Sequence, residues 1–275
     1  MPQRKSVWLA SFFVLLLVCM TALPSALASA ATAVELTVPI KLSFDKTVAA
    51  ADGSTASKLT SLYGDLGALL KQDIDLEAKI KALHFKNEES LTVLRKQIRD
   101  INSDKIYKLG VQVRQTKDRY QPLFDAYAAL NKQITLAKRL KNKTLNALLR
   151  AQADAMKLSV QYAREDIKAK EAALKSMKTA TSEKIKAART SLAAIDPLTV
   201  QIKAQRSAAG LPRSSRSPVW TNFKYAIKKN EAKGTLDSLS LLVNLSRQIV
   251  TQQQKIEALE LRISDIIVQT RTQFL

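Results

Sequence analysis

The chain has 275 residues, a formal net charge of +20, 46% apolar residues and only 5% aromatics. Its 6 Gly and 7 Pro are too few for a β-sandwich or barrel, which turns about every ten residues. One His and one Cys leave little room for side-chain catalysis, while Ala, Leu, Lys, Gln and Ile dominate, as in long helices.

Arg4 and Lys5 precede an uncharged apolar run, Val7–Met20, and small residues alternate from Pro24 to Ala30. This order is that of a secretory signal peptide, expected over 1–30, with Ala28, Ala30 and Ala33 as cleavage points and Ala30 preferred. The apolar core is shorter than the about 20 residues a membrane span needs, and Pro24 closes it. Cys19 follows Val18, which is bulkier than the residue a lipoprotein signal places there, so it reads as part of that core. Cleavage would remove Arg4, Lys5 and the only Cys, taking +20 to +18 and leaving an exported chain with no disulfide. The expected location is therefore extracellular or associated with the cell envelope.

Residues 31–54 read as an extended arm and linker. Val34, Leu36, Val38, Ile40, Leu42 and Phe44 alternate with period two, which predicts a short β-like strand with Pro39 marking an edge. Asp52-Gly53 reads as a turn, with Ser54 or Ser57 capping the next helix.

From Leu59 the apolar steps become three and four, and residues 55–275 form one predicted helical, coiled-coil domain. The first seam runs from Leu59 through Leu66, Leu76, Ile80 and Leu94 to Ile101, interrupted by Asp73, Asn87 and Ser90. A second, out of phase, starts at Ile106 and includes Val113, Leu130, Leu148, Leu158 and Tyr162. The slip falls on Asn102-Ser103-Asp104 and predicts a helix reversal between helices 55–101 and 103–195. The phase passes through Pro122 unchanged. Gly210–Ser217 reads as a loop between short helices 197–209 and 218–232, with Ser217 as a cap and Gly234 as a stop. In the last helix, 235–274, Leu242, Ile249, Ile256, Ile263 and Thr270 recur every seven residues. Leu245, Gln252, Leu259, Ile266 and Gln273 stand three further on.

The expected fold is all-α: an elongated antiparallel helical or coiled-coil bundle around one very long central helix, preceded by the β-like arm. Helix 103–195 would be a rod on the order of 140 Å. Helix 55–101 would pack on its first half and helix 235–274 on its second. The alternative is a four-helix bundle, formed if the central helix folds back at Lys138–Lys143.

Little chemistry is encoded. Asp73-x-Asp75-x-Glu77 opens like a calcium loop but has Ala78 where Gly is needed and His84 where Glu is needed. His84 and Glu88 could hold the edge of a metal, yet no second His or surviving Cys completes it. No phosphate-cradling Gly loop and no partnered nucleophile are present. No cofactor, metal or small-molecule substrate is expected.

The basic residues are the functional lead. Residues 126–153 hold no acid, and Lys132, Arg139, Lys143 and Arg150 follow at steps of seven, four and seven, one stripe on a continuous helix. Trp220, Phe223 and Ile227 share a helix side ringed by Arg213, Arg216, Lys224 and Lys228, either a core contact or a docking patch. The expected function is a non-enzymatic spacer or adaptor held to an anionic envelope polymer, such as wall teichoic acid, or to an anionic membrane surface. Export sets nucleic acid aside as a physiological partner. Helix 235–274 could serve a second copy or a protein partner. Rival readings are a holdase chaperone for exported proteins and a regulator of cell-wall hydrolases.

Overall fold

The computed structural model describes residues 34–275; the expected signal peptide and its cleavage points lie outside the described residues. Within them the chain is all-α, with helices α1 (Val38–Ala50), α2 (Gly53–Arg99), α3 (Ser103–Arg139), α4 (Lys143–Ala193), α5 (Ile195–Lys228) and α6 (Ala232–Phe274). It packs as two units. One joins the residues up to Asp73 with Ala209–Val250, and the other joins Ile74–Ala208 with Thr251–Leu275.

In the first unit, the expected strand is not formed: its residues from Val38 on belong to α1. Pro39 sits in its first turn, where an amide is not needed and the fixed φ of proline already suits a helix. Phe44 and Thr47 are buried and Ile40, Val48 and Ala51 partly so, at helical spacing, while Val38 and Leu42 face water at 73% and 59% exposure. The period-two pattern therefore does not choose the face. The Thr47 hydroxyl donates to the Ile227 carbonyl at 3.3 Å and the Phe44 ring stacks on Tyr63 at 4.3 Å. Leu59, Leu66, Trp220, Phe223, Leu239 and Leu242 complete this core.

Asp52, not Ser54 or Ser57, caps α2: its Oδ1 accepts from the Thr55 amide at 2.9 Å and the Ser54 amide at 3.0 Å. Hydrogen bonding, foremost from Thr55, holds the Asp52 carboxyl below its ordinary value.

The expected loop at Gly210–Ser217 is also corrected. Helix α5 runs unbroken through Pro212 and Pro218. Each proline removes an intrahelical hydrogen bond, a cost of about 3 kcal/mol. Burial of Trp220 and Phe223, each contributing about 2–3 kcal/mol, offsets this in helical geometry. Helix α5 ends at Lys228, ahead of Gly234, in a Schellman turn with Asn230 at φ 55°. The Glu231 amide there donates to the Ala226 carbonyl at 3.0 Å.

In the second unit, α2 and α6 run parallel, since partner numbers rise together from Lys79–Glu257 to Asn87–Glu260. Ile80, Leu94, Ile98, Ile256, Leu259 and Ile263 share one core, joined by Leu192 and Ile202. Helix α2 thus packs on α6, instead of the two dividing a central rod. The Ile and Leu row of the last helix is buried throughout: Leu242 and Ile249 at 0%, Ile256 at 4% and Ile263 at 6% exposure. A fully buried row lies four residues on, at Ser246, Gln253, Glu260 and Ile267, while of the row expected three residues on Leu259 is buried, Leu245, Gln252 and Ile266 are half-buried and Gln273 is exposed. Helices of the same chain fill this seam.

The very long central helix is broken. Helix α3 passes through Pro122 but stops at Arg139, and α4 starts at Lys143. The two return on each other, with Asn102 Nδ2 donating to Thr181 Oγ1 at 3.1 Å and Arg119 paired with Asp166 at 2.9 Å. The fold-back at Lys138–Lys143 is the arrangement adopted.

Ile256→Asp puts a charge into a dry seam with no cation to meet it, and should cost several kcal/mol in denaturant unfolding. An unchanged midpoint would mean that this row is not a core. Asp52→Ala should lower the melting temperature at neutral pH. Because the folded carboxyl titrates below its unfolded value, its contribution is present above about pH 4. The gap to wild type should close as pH falls through the folded pKa, and a pH-independent gap would contradict the capping role.

Candidate functional site

The α3–α4 turn is built from Lys138-Arg139-Leu140-Lys141-Asn142-Lys143. Lys141 takes the left-handed conformation at φ 55°, so the Asn142 amide reaches back to the Ala137 carbonyl at 3.1 Å and the Lys141 amide to Lys138 at 3.2 Å. Asn142 then caps α4, its side chain accepting from the Leu145 amide at 3.0 Å. Asn146 Nδ2 crosses the hairpin to the Ile134 carbonyl at 3.1 Å, and Ala137 is 2% exposed beneath it. A small residue and two Asn side chains therefore close the turn with few unmet backbone groups.

This turn rearranges the expected stripe. Lys132 and Arg139 lie on α3, Lys143 and Arg150 on α4, and all four are exposed. The seven-four-seven spacing no longer follows one helix. Instead Lys138, Lys141, Lys143 and Arg150 converge with Ala137 and Asn146 on an open cavity of about 460 Å³. Lys132 and Arg139 stand outside it. Lys138 and Lys141 enter the group because the reversal brings them there, which period counting on a straight helix misses. None of these six cations forms an ion pair among the described residues.

The turn also resets the helical phase of α4. Ala153, Val160, Thr181 and Ala188 are buried, at multiples of seven. Leu148, Leu158 and Tyr162, expected in the seam, are turned outward at 61%, 77% and 66% exposure. Leu136, Leu140 and Leu145 are exposed as well.

The other candidates resolve into structure. Trp220 and Phe223 are 3% and 0% exposed and stacked at 5.2 Å, so the suggested docking patch is core on its aromatic side. Arg216 reaches the buried Asp73 at 3.1 Å, with Arg213 at 3.8 Å, while Lys224 and Lys228 stay exposed. Asp73 is thus an ion-pair partner inside the seam and not the start of a calcium loop. His84 Nδ1 meets the buried Glu260 carboxylate at 3.0 Å, and its Nε2 lies 3.4 Å from Glu88. Among the described residues no group of three or more His, Cys, Asp or Glu could hold a metal ion. No protein family, no curated protein and no solved structure matches this chain.

A lysine in the left-handed region carries strain of about 1–2 kcal/mol, from which glycine is exempt. Lys141→Gly should therefore stabilise the protein by about 0.5–1 kcal/mol, after the added unfolded-state entropy of glycine is taken off. Lys141→Ala, equally uncharged but still strained, should not. Equal unfolding midpoints for the two variants would remove this turn geometry as the reason for the fold-back.

Proposed function

We propose that this chain is a non-enzymatic, exported adaptor or spacer of the cell envelope or extracellular space, held to an anionic polymer or surface by the basic α3–α4 hairpin. The observation that carries the reading is the tip itself. Six exposed cations from Lys132 to Arg150 have no ion-pair partner among the described residues, and no acid stands between 126 and 153. Ordinary helix solvation intersperses both signs of charge, whereas a field of one sign with low-dielectric walls attracts polyanions. The other cations of the chain sit beside acids in several places, as in Arg119–Asp166 and Lys117–Glu171.

Attachment of this kind is Coulombic and should weaken steeply with salt, because the Debye length falls from about 10 Å at 0.1 M to about 3 Å at 1 M. Reversing Lys138, Lys141, Lys143 and Arg150 to Glu takes the full-chain charge from +20 to +12. Retention on immobilised polyphosphate at low salt should be largely lost. Reversing the exposed Lys175, Lys178, Lys184 and Lys186 gives the same net charge and should retain most of the binding. Helicity should survive in both variants, since Glu is a good helix former. Equal losses would reduce the tip to bulk charge. No retention of wild type on either polyphosphate or anionic vesicles would end the reading.

A further inference from the structure

Cations alone suffice to hold a soluble polyanion, yet the hairpin tip carries a second feature. Leu136, Leu140, Leu145 and Leu148 flank the turn at 55%, 76%, 40% and 61% exposure. Leu136 lies in the last turn of α3 and Leu140 is its C-cap four residues on, while the second pair is three residues apart on α4. Single exposed leucines are ordinary, but four around one reversal, set among six unpaired cations, form an amphipathic end. A basic face beside leucines is the composition of segments that lie in a membrane interface, with apolar groups at the acyl boundary and cations at the phosphates.

We infer that the α3–α4 tip docks on an anionic lipid bilayer, with Leu136, Leu140, Leu145 and Leu148 entering the boundary between headgroups and acyl chains. This rests on the hairpin being the anionic attachment point and narrows its partner to lipid. Charge complementarity selects that occupant: Lys138, Arg139, Lys141, Lys143 and Arg150 lie within the same thirteen-residue stretch, 138–150, as three of the four leucines. Each cation held near an anionic leaflet strengthens binding roughly five-fold, and the leucines add the second signal that stable peripheral attachment requires. The backbone suits entry into a poorly hydrated layer. The Leu136, Ala137 and Lys138 carbonyls accept from the Leu140, Asn142 and Lys141 amides, and Asn142 caps the start of α4. Among the described residues no helix is long and apolar enough to cross a membrane, so the contact is peripheral.

The test compares wild type from Ala31 onward, the form expected after export and lacking the apolar Val7–Met20 run and Trp8, with the double variant Leu140→Ser, Leu145→Ser on two probes. One is vesicles of phosphatidylglycerol and phosphatidylcholine in a one-to-three mixture, and the other is soluble polyphosphate. Wild type should bind both. The serine variant should bind polyphosphate as before but vesicles at least about ten-fold more weakly, through loss of apolar transfer. Circular dichroism checks that it remains helical. As a second measurement, Leu140→Trp should be quenched on vesicle binding by lipids brominated on their acyl chains, whereas the buried Trp220 should not. Vesicle binding unchanged in the serine variant, or an unquenched Trp at position 140, would overturn leucine insertion and leave the Coulombic attachment standing. Wild type that binds polyphosphate and ignores vesicles would assign the tip to a polymer. Binding to neither probe would remove the attachment reading itself, and this inference with it.

Discussion

The buried carboxylate of Glu260 is the constraint on which the helix packing depends. It is 1% exposed on the inner side of α6, and a charge there without partners would cost more than any neighbouring leucine contributes. Asn87 meets it with two hydrogen bonds from Nδ2, one to Oε2 at 3.0 Å and one to the Glu260 carbonyl at 2.8 Å, and His84 approaches Oε1. Asn87 stands in a strict heptad row of α2, between Ile80 and Leu94. A slip of one heptad would bring an isobutyl or sec-butyl group against the carboxylate and leave it unpaired. Apolar residues alone permit that slip at little cost, because successive heptads look alike; the polar layer forbids it. Asp73 does the same in its own unit, where Arg216 and Arg213 meet it and a slip would present Leu66 to two guanidinium groups.

These polar layers explain what could be read from the sequence and what could not. The Leu242–Ile263 row and the reversal near Asn102 were legible, because apolar side chains at a period of seven and a short polar turn each have one simple physical cause. Asp73 and Asn87 look like interruptions of a seam when burial is inferred from side-chain type. They are the seam, with partners supplied by residues 143 and 173 positions away. Ser246, Gln253 and Glu260 hide the most buried row of α6 in the same manner, so the three-residue step finds Leu259 and misses the row beside it. No local rule finds a buried polar residue whose partner is that distant in sequence.

Two other departures share a different cause. Residues 34–44 alternate and also satisfy a helical face, and Gly210–Ser217 has every mark of a loop, yet Val38–Phe44 and the whole of 210–217 end as helix. In each case the decision is made by a tertiary contact: Phe44 and Thr47 against Tyr63 and Ile227, Trp220 and Phe223 against the same core. Proline and glycine signals are worth a few kcal/mol, and burial of two large aromatics is of the same size. Local preference therefore governs only where packing is weak. The turn at Lys138–Lys143 is such a place. Little apolar seam runs through it, and its Asn caps and polar composition set the backbone.

The charge of the protein follows from this division. Acids recur where helices are joined: Asp73 with Arg216, Glu257 with Lys79, Asp166 with Arg119 and Glu171 with Lys117. Each such pair contributes little alone if exposed, but it neutralises the cation beside it and fixes which faces meet. The hairpin tip joins nothing within the described residues and has no acid, so its cations stay uncompensated. The leucines obey the same logic, since a turn that packs against no other helix has no core in which to bury them. A bundle under selection only for stability would replace Leu140 and Leu148 with polar residues, which cost nothing in an exposed helix end and remove an aggregation risk. Exposed apolar side chains and unpaired cations, together at a reversal where packing demands neither, are what the proposed attachment to an outside surface rests on.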